Sequence, residues 1–391
     1  MTQMKETYLP SKPRYEILDG LRGVAALLVV CYHLLEAYFE GGPQQPINHG
    51  YLAVDFFFVL SGFVIGYAYD DRWDRMSLTN FFKRRITRLH PMVIMGTLVG
   101  VLLFYLGDCS DFPLVARTEW WQVLLVALVG ITMIPLSPGM DIRGWGETYP
   151  LNGPQWSLMW EYLANILYAL VIRRFPKWLL MAFVALSALL TLNLALNIDV
   201  GGILEPRAAQ AFTVVGGWST DPDQLLIGIT RLLYPFFMGL LLSRMHWLIR
   251  LRAGFWWCSL AVVAALAMPH ITNEANSLPD GIYQAVAILV VFPLIVSAGA
   301  GSHVTGRSAR LCIWLGRLSF PLYITHYPIV YAQRAWHCSH ASLPVGVQVM
   351  FFLCCVVASV LLAQACLKLY DEPVRRWLKI HWLHAQPKQA Q

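Results

Sequence analysis

Long apolar runs alternate with short charged loops along almost the whole chain. The runs fall near 17–39, 51–69, 91–107, 156–173, 178–197, 225–243, 254–270, 283–300, 311–331 and 345–370. At roughly 1.5 Å per helical residue, about 20 residues cross a ~30 Å hydrocarbon core. The pattern therefore predicts an all-α polytopic membrane bundle of about ten transmembrane helices. A further run at 120–136 is ambiguous, and the loop charges arbitrate. With the N-terminus inside and 120–136 not crossing, 24 of the 29 Lys and Arg lie on the inner side. Arg117, Arg143, Arg207, Arg231 and Arg334 remain outside. A crossing at 120–136 would put the RRFPK turn, 173–177, outside and invert every later loop, against the positive-inside bias. We read 120–136 as a re-entrant or interfacial helix within an outer loop, 108–154. The expectation is one integral membrane domain over 1–391 in the bacterial inner membrane. Its tails, 1–14 and 371–391, are both expected in the cytoplasm.

Composition agrees. Hydrophobic residues make up 57% and charged residues 13% of the 391, where a soluble domain carries about 25% charged. The mean hydropathy of +0.52 excludes a soluble enzyme with a single anchor. The net charge of +6 resides in short loops, where it sets topology and does not indicate nucleic acid. The eight cysteines form no metal or disulfide framework. Six fall in apolar stretches and read as inert thiols. Cys109 and Cys338 fall in segments placed outside, where a mutual disulfide is open. No metal site and no tightly bound cofactor is predicted. The first apolar run is too long for a cleaved signal peptide and carries Asp19 and Arg22.

The first helix, ILDGLRGVAALLVVCYHLLEAYF, holds Arg22 near its start and His33 near its middle. Ionisable groups inside a span are costly and point to function. Eleven steps of roughly 100° return the helix to within about 20°, so the two share a face about 16 Å apart. Imidazole titrates near neutrality, so His33 is a candidate general base or nucleophile, and Glu36, one turn on, could orient it. In FFKRRITRLHP, residues 81–91, the basic cluster stops a span on the inner side. Arg85 and Arg88 also share a helix face, and with Arg22 they suit a polyphosphate. Asp55 is buried in YLAVDFFFVLSGFVIG and needs a partner, either a structural cation or an acceptor molecule. Ser61-Gly62 permits a kink or close helix approach. Trp156 and Trp160 read as an interfacial belt. With Glu161 they also describe a sugar-binding surface. Tyr323 and His326 in LGRLSFPLYITHYPIV are either packing residues or supports for the histidine.

Seven segments occurring in order resemble the acyltransferase-3 family of bacterial integral membrane acyltransferases. They are DGLRGVAALLVVCYH with its Arg22–His33 spacing, VDFFFVLSGFVIG, RRITRLHP, GPQWSLMWE, YPFFMGLLL, LGRLSFPLYITHYP and DEPVRRWL. The resemblance implies a ten-helix fold. It also implies transfer of an acyl group, usually acetyl, from cytoplasmic acyl-CoA to a hydroxyl of an extracytoplasmic cell-envelope glycan or glycolipid. It gives His33 the catalytic role and Arg22, Arg85 and Arg88 essential supporting roles. After WSLMWE the chain departs from the family by continuing YLAN. The residue reading agrees: phosphates on Arg22, Arg85 and Arg88, the pantetheine arm along the first helix, and a thioester at His33. Asp55, Ser61, Trp156, Glu161, Tyr323 and His326 stand as acceptor-side or supporting residues, with Ser61 and Tyr323 as candidate oxyanion donors. Two other readings stay open: a transporter of an acyl donor or small anion, and an acyltransferase acting on a lipid or secreted metabolite.

Overall fold

The computed structural model describes residues 12–204, 210–272 and 276–383. Among these residues there are helices and no strands. Arg207, the first eleven residues of the expected N-terminal tail, and residues 384–391 lie outside them.

The helices in chain order are α1 (Glu16–Phe39), α2 (Ala53–Tyr69), α3 (Leu78–Leu103), α4 (Trp120–Ile131), α5 (Gln155–Leu170), α6 (Lys177–Ala195) and α7 (Pro222–Met245). They continue with α8 (Gly254–Ala267), α9 (Leu278–Val286), α10 (Phe292–Gly301), α11 (Gly306–Thr325), α12 (Tyr327–His340), α13 (Val345–Cys366) and α14 (Glu372–Leu378). Local chemistry sets several ends. Glu16 and Asp19 sit in the first turn of α1, where the helix dipole favours negative charge. The Ser77 hydroxyl accepts from the Asn80 amide at 3.2 Å to cap α3. α1 stops where Glu40 and Gly41 turn left-handed, at φ 53° and 70°.

Among the described residues, seven helical stretches are long and apolar enough to cross a membrane: Glu16–Phe39, Gly50–Tyr69, Leu78–Gly107, Lys177–Ala195, Pro222–Met245, Leu278–Gly301 and Val345–Leu383. The other three expected spans fall on α5, α8 and α11. α5 and α8 have 16 and 14 residues, and α11 carries Arg307, Arg310 and Arg317. α4 has 12 residues, about 18 Å of helix, too short to cross a ~30 Å core.

Three expectations are corrected. The basic run 81–91 belongs to α3, which begins a full thirteen residues before the expected start at 91, with Pro91 inside it. The expected span 311–331 is two helices broken at His326, because Pro328 lacks the amide that would continue the ladder. The expected tail is helical as far as Leu383: a π turn at Leu367–Asp371 joins α13 to α14 and a second at Lys379–Leu383 extends α14, making one 39-residue rod.

Two tight helix pairs hold the centre of the bundle. In α2 and α7 the glycines approach reciprocally. A Cβ on Gly62 would lie 1.7 Å from the Phe236 carbonyl oxygen, and one on Gly239 would lie 2.0 Å from that of Val59. In α1 and α11, a Cβ on Gly23 would meet Leu315 at 2.5 Å, and one on Gly316 would meet Asp19 at 2.6 Å. Small residues let backbones approach where lipid offers no hydrophobic drive. The first pair carries the expected close approach at Ser61-Gly62. Exposed Val349, Met350, Leu353, Val357 and Leu361 give α13 an apolar outer face.

Candidate active site

A cavity of about 910 Å³ opens among α1, α2, α3, α5, α11 and the rod that ends the chain. Its size is at the upper end of the ~300–1,000 Å³ usual for small-molecule sites. Lys12 and Leu383 both line it, so the two described chain ends lie at one end of the bundle. Ten Lys and Arg side chains line the wall, against four Asp and Glu. Some of these cations are already paired. Arg22 meets Asp19 at 3.2 Å, Lys12 meets Asp71 at 2.7 Å, and Arg375 and Arg317 bind Asp371 and Glu372. Arg14, Arg88, Arg376 and Lys379 have no carboxylate within ion-pair distance among the described residues.

Of the three arginines expected together, Arg22 and Arg88 line the cavity and Arg85 does not. Arg85 is buried and donates to Glu161 at 2.9 Å. Glu161 faces the cavity and accepts from the Ser61 hydroxyl at 3.3 Å. Tyr323 is also in the wall, and its hydroxyl shares a 2.7 Å hydrogen bond with Ser157. At the deep end the Phe57 and Tyr323 rings meet edge to face, 5.4 Å between centroids.

His33 is not part of the wall. Its Nδ1 stands 2.6 Å from Glu36 Oε2. A carboxylate there assigns the proton to Nδ1 and leaves the Nε2 lone pair free. Nε2 has no hydrogen-bond partner among the described residues, and 22% of the His33 side chain is exposed. Its ring stacks on His326 at 5.7 Å and meets Tyr327 edge to face at 4.9 Å. His326 is fully buried. It turns Nδ1 to the Leu322 and Tyr323 carbonyls at 3.1 and 2.9 Å, which leaves its own Nε2 without a partner. Tyr323, 6.1 Å from His326 between ring centroids, thus connects the cavity roof to the histidine pair.

Asp55 and Trp156 are placed elsewhere. Asp55 is fully buried in an ion pair with Arg231, at 2.7 and 3.3 Å. Arg231 also donates to the Tyr51 and Gly216 carbonyls and lies 5.3 Å from the Trp156 ring centroid. Asp55 is therefore committed to a structural pair, and Trp156 packs on it. Arg231, counted on the outer side and within the expected span 225–243, is inside α7 and 2% exposed. Trp160 is buried, with its indole donating to Gly217 at 3.2 Å, so neither tryptophan presents a face for a sugar in the cavity.

The family model described as an acyltransferase domain, acyltransferase-3, matches residues 15–367. The chain belongs to the acyltransferase-3 family. It is a polytopic membrane protein with a transferase role. It is similar to "Acyltransferase MdmB" of Streptomyces mycarofaciens, 25% identical over 343 residues, 83% of this chain and 81% of that one. "Protein 2 in picA locus" of Rhizobium radiobacter is 34% identical over 163 residues, 40% of this chain and 81% of its own. "O-acetyltransferase OatA" of Staphylococcus aureus is 24% identical over 387 residues; the match takes in 93% of this chain and 58% of OatA. No solved structure matches.

Sequence reasoning about this acyltransferase missed a second polar group near His33. Glu147 accepts a hydrogen bond from the Tyr331 hydroxyl, and the Arg143 guanidinium lies 3.6 Å from the Tyr331 ring centroid. Burial pushes the Glu147 carboxyl up to about 7; Asp141 and Glu36 add to the rise, while Tyr331 and Arg143 oppose it. Its loop position among polar residues gave no signal. Arg375, Arg376 and Lys379 were missed because the segment after 371 read as a tail; their spacing within DEPVRRWLK is helical and was legible.

Proposed function

We propose that this acyltransferase moves an acetyl group from acyl-CoA onto a hydroxyl of a cell-envelope glycan. The donor enters from the end where Lys12 and Leu383 line the cavity, which is the cytoplasmic end, and the membrane is the bacterial inner membrane. The observation that carries the reading is the cation-rich cavity beneath the His33–Glu36 pair. CoA is a polyanion on a thin arm. Arg88 is exposed to the cavity with no carboxylate of its own, so a phosphate would supply its missing counter-charge. Arg22 assists from α1, and Arg85 acts through Glu161 by holding its position. The printed name of OatA favours acetyl as the group and a hydroxyl as its destination.

The acyl end passes the Phe57–Tyr323 ring pair to reach His33. Nε2 takes the proton of the acceptor hydroxyl while its oxygen attacks the thioester carbonyl carbon. The C–S bond then breaks, and the CoA thiolate recovers the proton from the imidazolium. Glu36 holds the imidazole in the required tautomer and stabilises its charge, the part a carboxylate plays in triads.

The test uses full-length protein in nanodiscs with acetyl-CoA and isolated envelope glycan. Release of CoA thiol, matched by ester formation on the glycan and lost in His33→Ala, is the expected result. Movement of substrate across proteoliposomes without thiol release would replace the reading with a transporter. Ester on lipid alone would move the acceptor to that class.

A further inference from the structure

Three side chains far apart in sequence meet outside the cavity: His49, His270 and Asp280. His49 precedes α2 in the loop that leaves α1, His270 follows α8, and Asp280 lies in the first turn of α9. His49 and Asp280 are fully buried, and 8% of the His270 side chain is exposed. One ring nitrogen of each histidine and one carboxylate oxygen all lie within 4.8 Å of one another.

The hydrogen bonds orient these groups as ligands. His49 Nδ1 faces the Met268 carbonyl oxygen at 2.8 Å. A carbonyl only accepts, so Nδ1 carries the proton and Nε2 holds a lone pair. That Nε2 is buried without a hydrogen-bond partner, and so is His270 Nδ1, which faces Asp280 Oδ2 at 3.4 Å. Asp280 is fixed on both oxygens: Oδ1 accepts from the Ile271 amide at 2.9 Å and Oδ2 from the Ser277 hydroxyl at 2.8 Å. A backbone carbonyl behind one histidine and donors behind the carboxylate are the supports that metal ligands usually have. Buried polar atoms as a rule find hydrogen bonds; here two nitrogens beside a carboxylate make none.

We propose that His49, His270 and Asp280 bind a divalent transition metal, zinc by ligand type. Two imidazoles and one carboxylate suit Zn²⁺ better than Mg²⁺ or Ca²⁺, which take oxygen ligands. With bonds of about 2.0–2.2 Å, tetrahedral zinc holds its ligand atoms roughly 3.4 Å apart. The His270 Nδ1–Asp280 Oδ2 distance is already 3.4 Å, and water supplies the fourth position. The metal ties the α1–α2 loop to the corner between α8 and α9. That loop positions the first helix: a Cβ on Gly50 would lie 2.3 Å from the Tyr32 ring, so Tyr32 rests on the residue after His49. Tyr32 is the neighbour of His33. The ion is a positioning clamp, and its assignment is independent of the donor and the acceptor.

The experiment measures metal in the full-length protein, purified in detergent with a tag that binds no metal and without chelator. Stoichiometric zinc by mass spectrometry is expected, as are intense visible bands of tetrahedral cobalt after Co²⁺ exchange. His270→Gln and Asp280→Asn should each lower zinc content at least tenfold. A chelator should lower the melting temperature of the wild type and leave that of the variants unmoved. Wild-type protein that takes up neither zinc nor cobalt overturns the proposal. So does undiminished zinc in the double variant. Should the variants fail to fold, the cobalt spectrum of the wild type decides alone.

Discussion

The two ends of this bundle treat arginine in opposite ways. Away from the described chain ends, arginines find partners within the protein: buried Arg231 in Asp55 at 2.7 Å, half-buried Arg334 in Asp111 at 2.6 Å, and buried Arg143 in the Pro150 carbonyl and the Tyr331 ring. At the terminal end, Arg88 and its neighbours outnumber the carboxylates around them. A buried charge with an internal partner stabilises a fold. An unmatched charge in a water-filled cavity is available to a ligand. The difference lies in whether the counter-charge belongs to the chain, and residue type alone does not reveal it.

The largest effect should come from breaking a matched pair. Asp55→Ala leaves Arg231 buried and uncompensated, at a cost of about 3–5 kcal/mol. Thermal unfolding in detergent should show a strongly lowered midpoint or no folded protein, and an unchanged midpoint would remove the pair from the structural account. Next is Glu36→Gln, which keeps the shape and removes the charge behind His33 Nδ1. Turnover should fall about 10²–10⁴-fold, with KM for acyl-CoA held. A change confined to KM would mean that Glu36 serves binding.

Arg88→Ala sharpens the contrast from the other end. The melting temperature should stay near that of the wild type, while the Kd for acyl-CoA rises about ten- to a hundredfold, the worth of one charged hydrogen bond of ~1.5–3 kcal/mol. Equal affinity would leave the cavity without its proposed ligand. The smallest effect concerns Glu147, whose carboxyl is raised from 4.5 to about 7. The folded state then holds this proton more tightly than the unfolded chain, so its contribution to stability falls as pH rises from about 4.5 to 7. Glu147→Gln keeps an acceptor for Tyr331 and should remove that slope, making the variant relatively more stable at pH 8 than at pH 5. Parallel melting curves against pH would show that the group is not titrating there.

Much of this was legible in the sequence. Apolar runs located each of the seven described stretches long and apolar enough to cross, and the loop charges set apart the segment that forms α4, which has 12 residues. Arg22, Glu161, Ser61 and Tyr323 were selected one by one, and they line one cavity. Asp55 plainly needed a partner, but Arg231 is 176 positions away, and pairing at that range is a property of the packing. Arg85 and Arg88 illustrate the limit of face arguments. Three residues apart they are neighbours on a helix, yet α3 is surrounded, so one turns to α5 and the other to the cavity. The thiols of Cys109 and Cys338 do come within interaction range and are unbridged, although Cys338 is on α12 and not in a loop.

A chain of aromatic rings, Phe57 against Tyr323 in the cavity wall and Tyr323 beside His326, leads from the cavity to the stacked His33. Under the proposed function, the enzyme works across a bilayer and must admit a thioester without becoming a pore for protons. Rings that part for an acyl chain and close behind it would keep the membrane potential intact through each turnover. On this reading, trimming Phe57 to alanine harms the cell through ion leakage before it harms the chemistry.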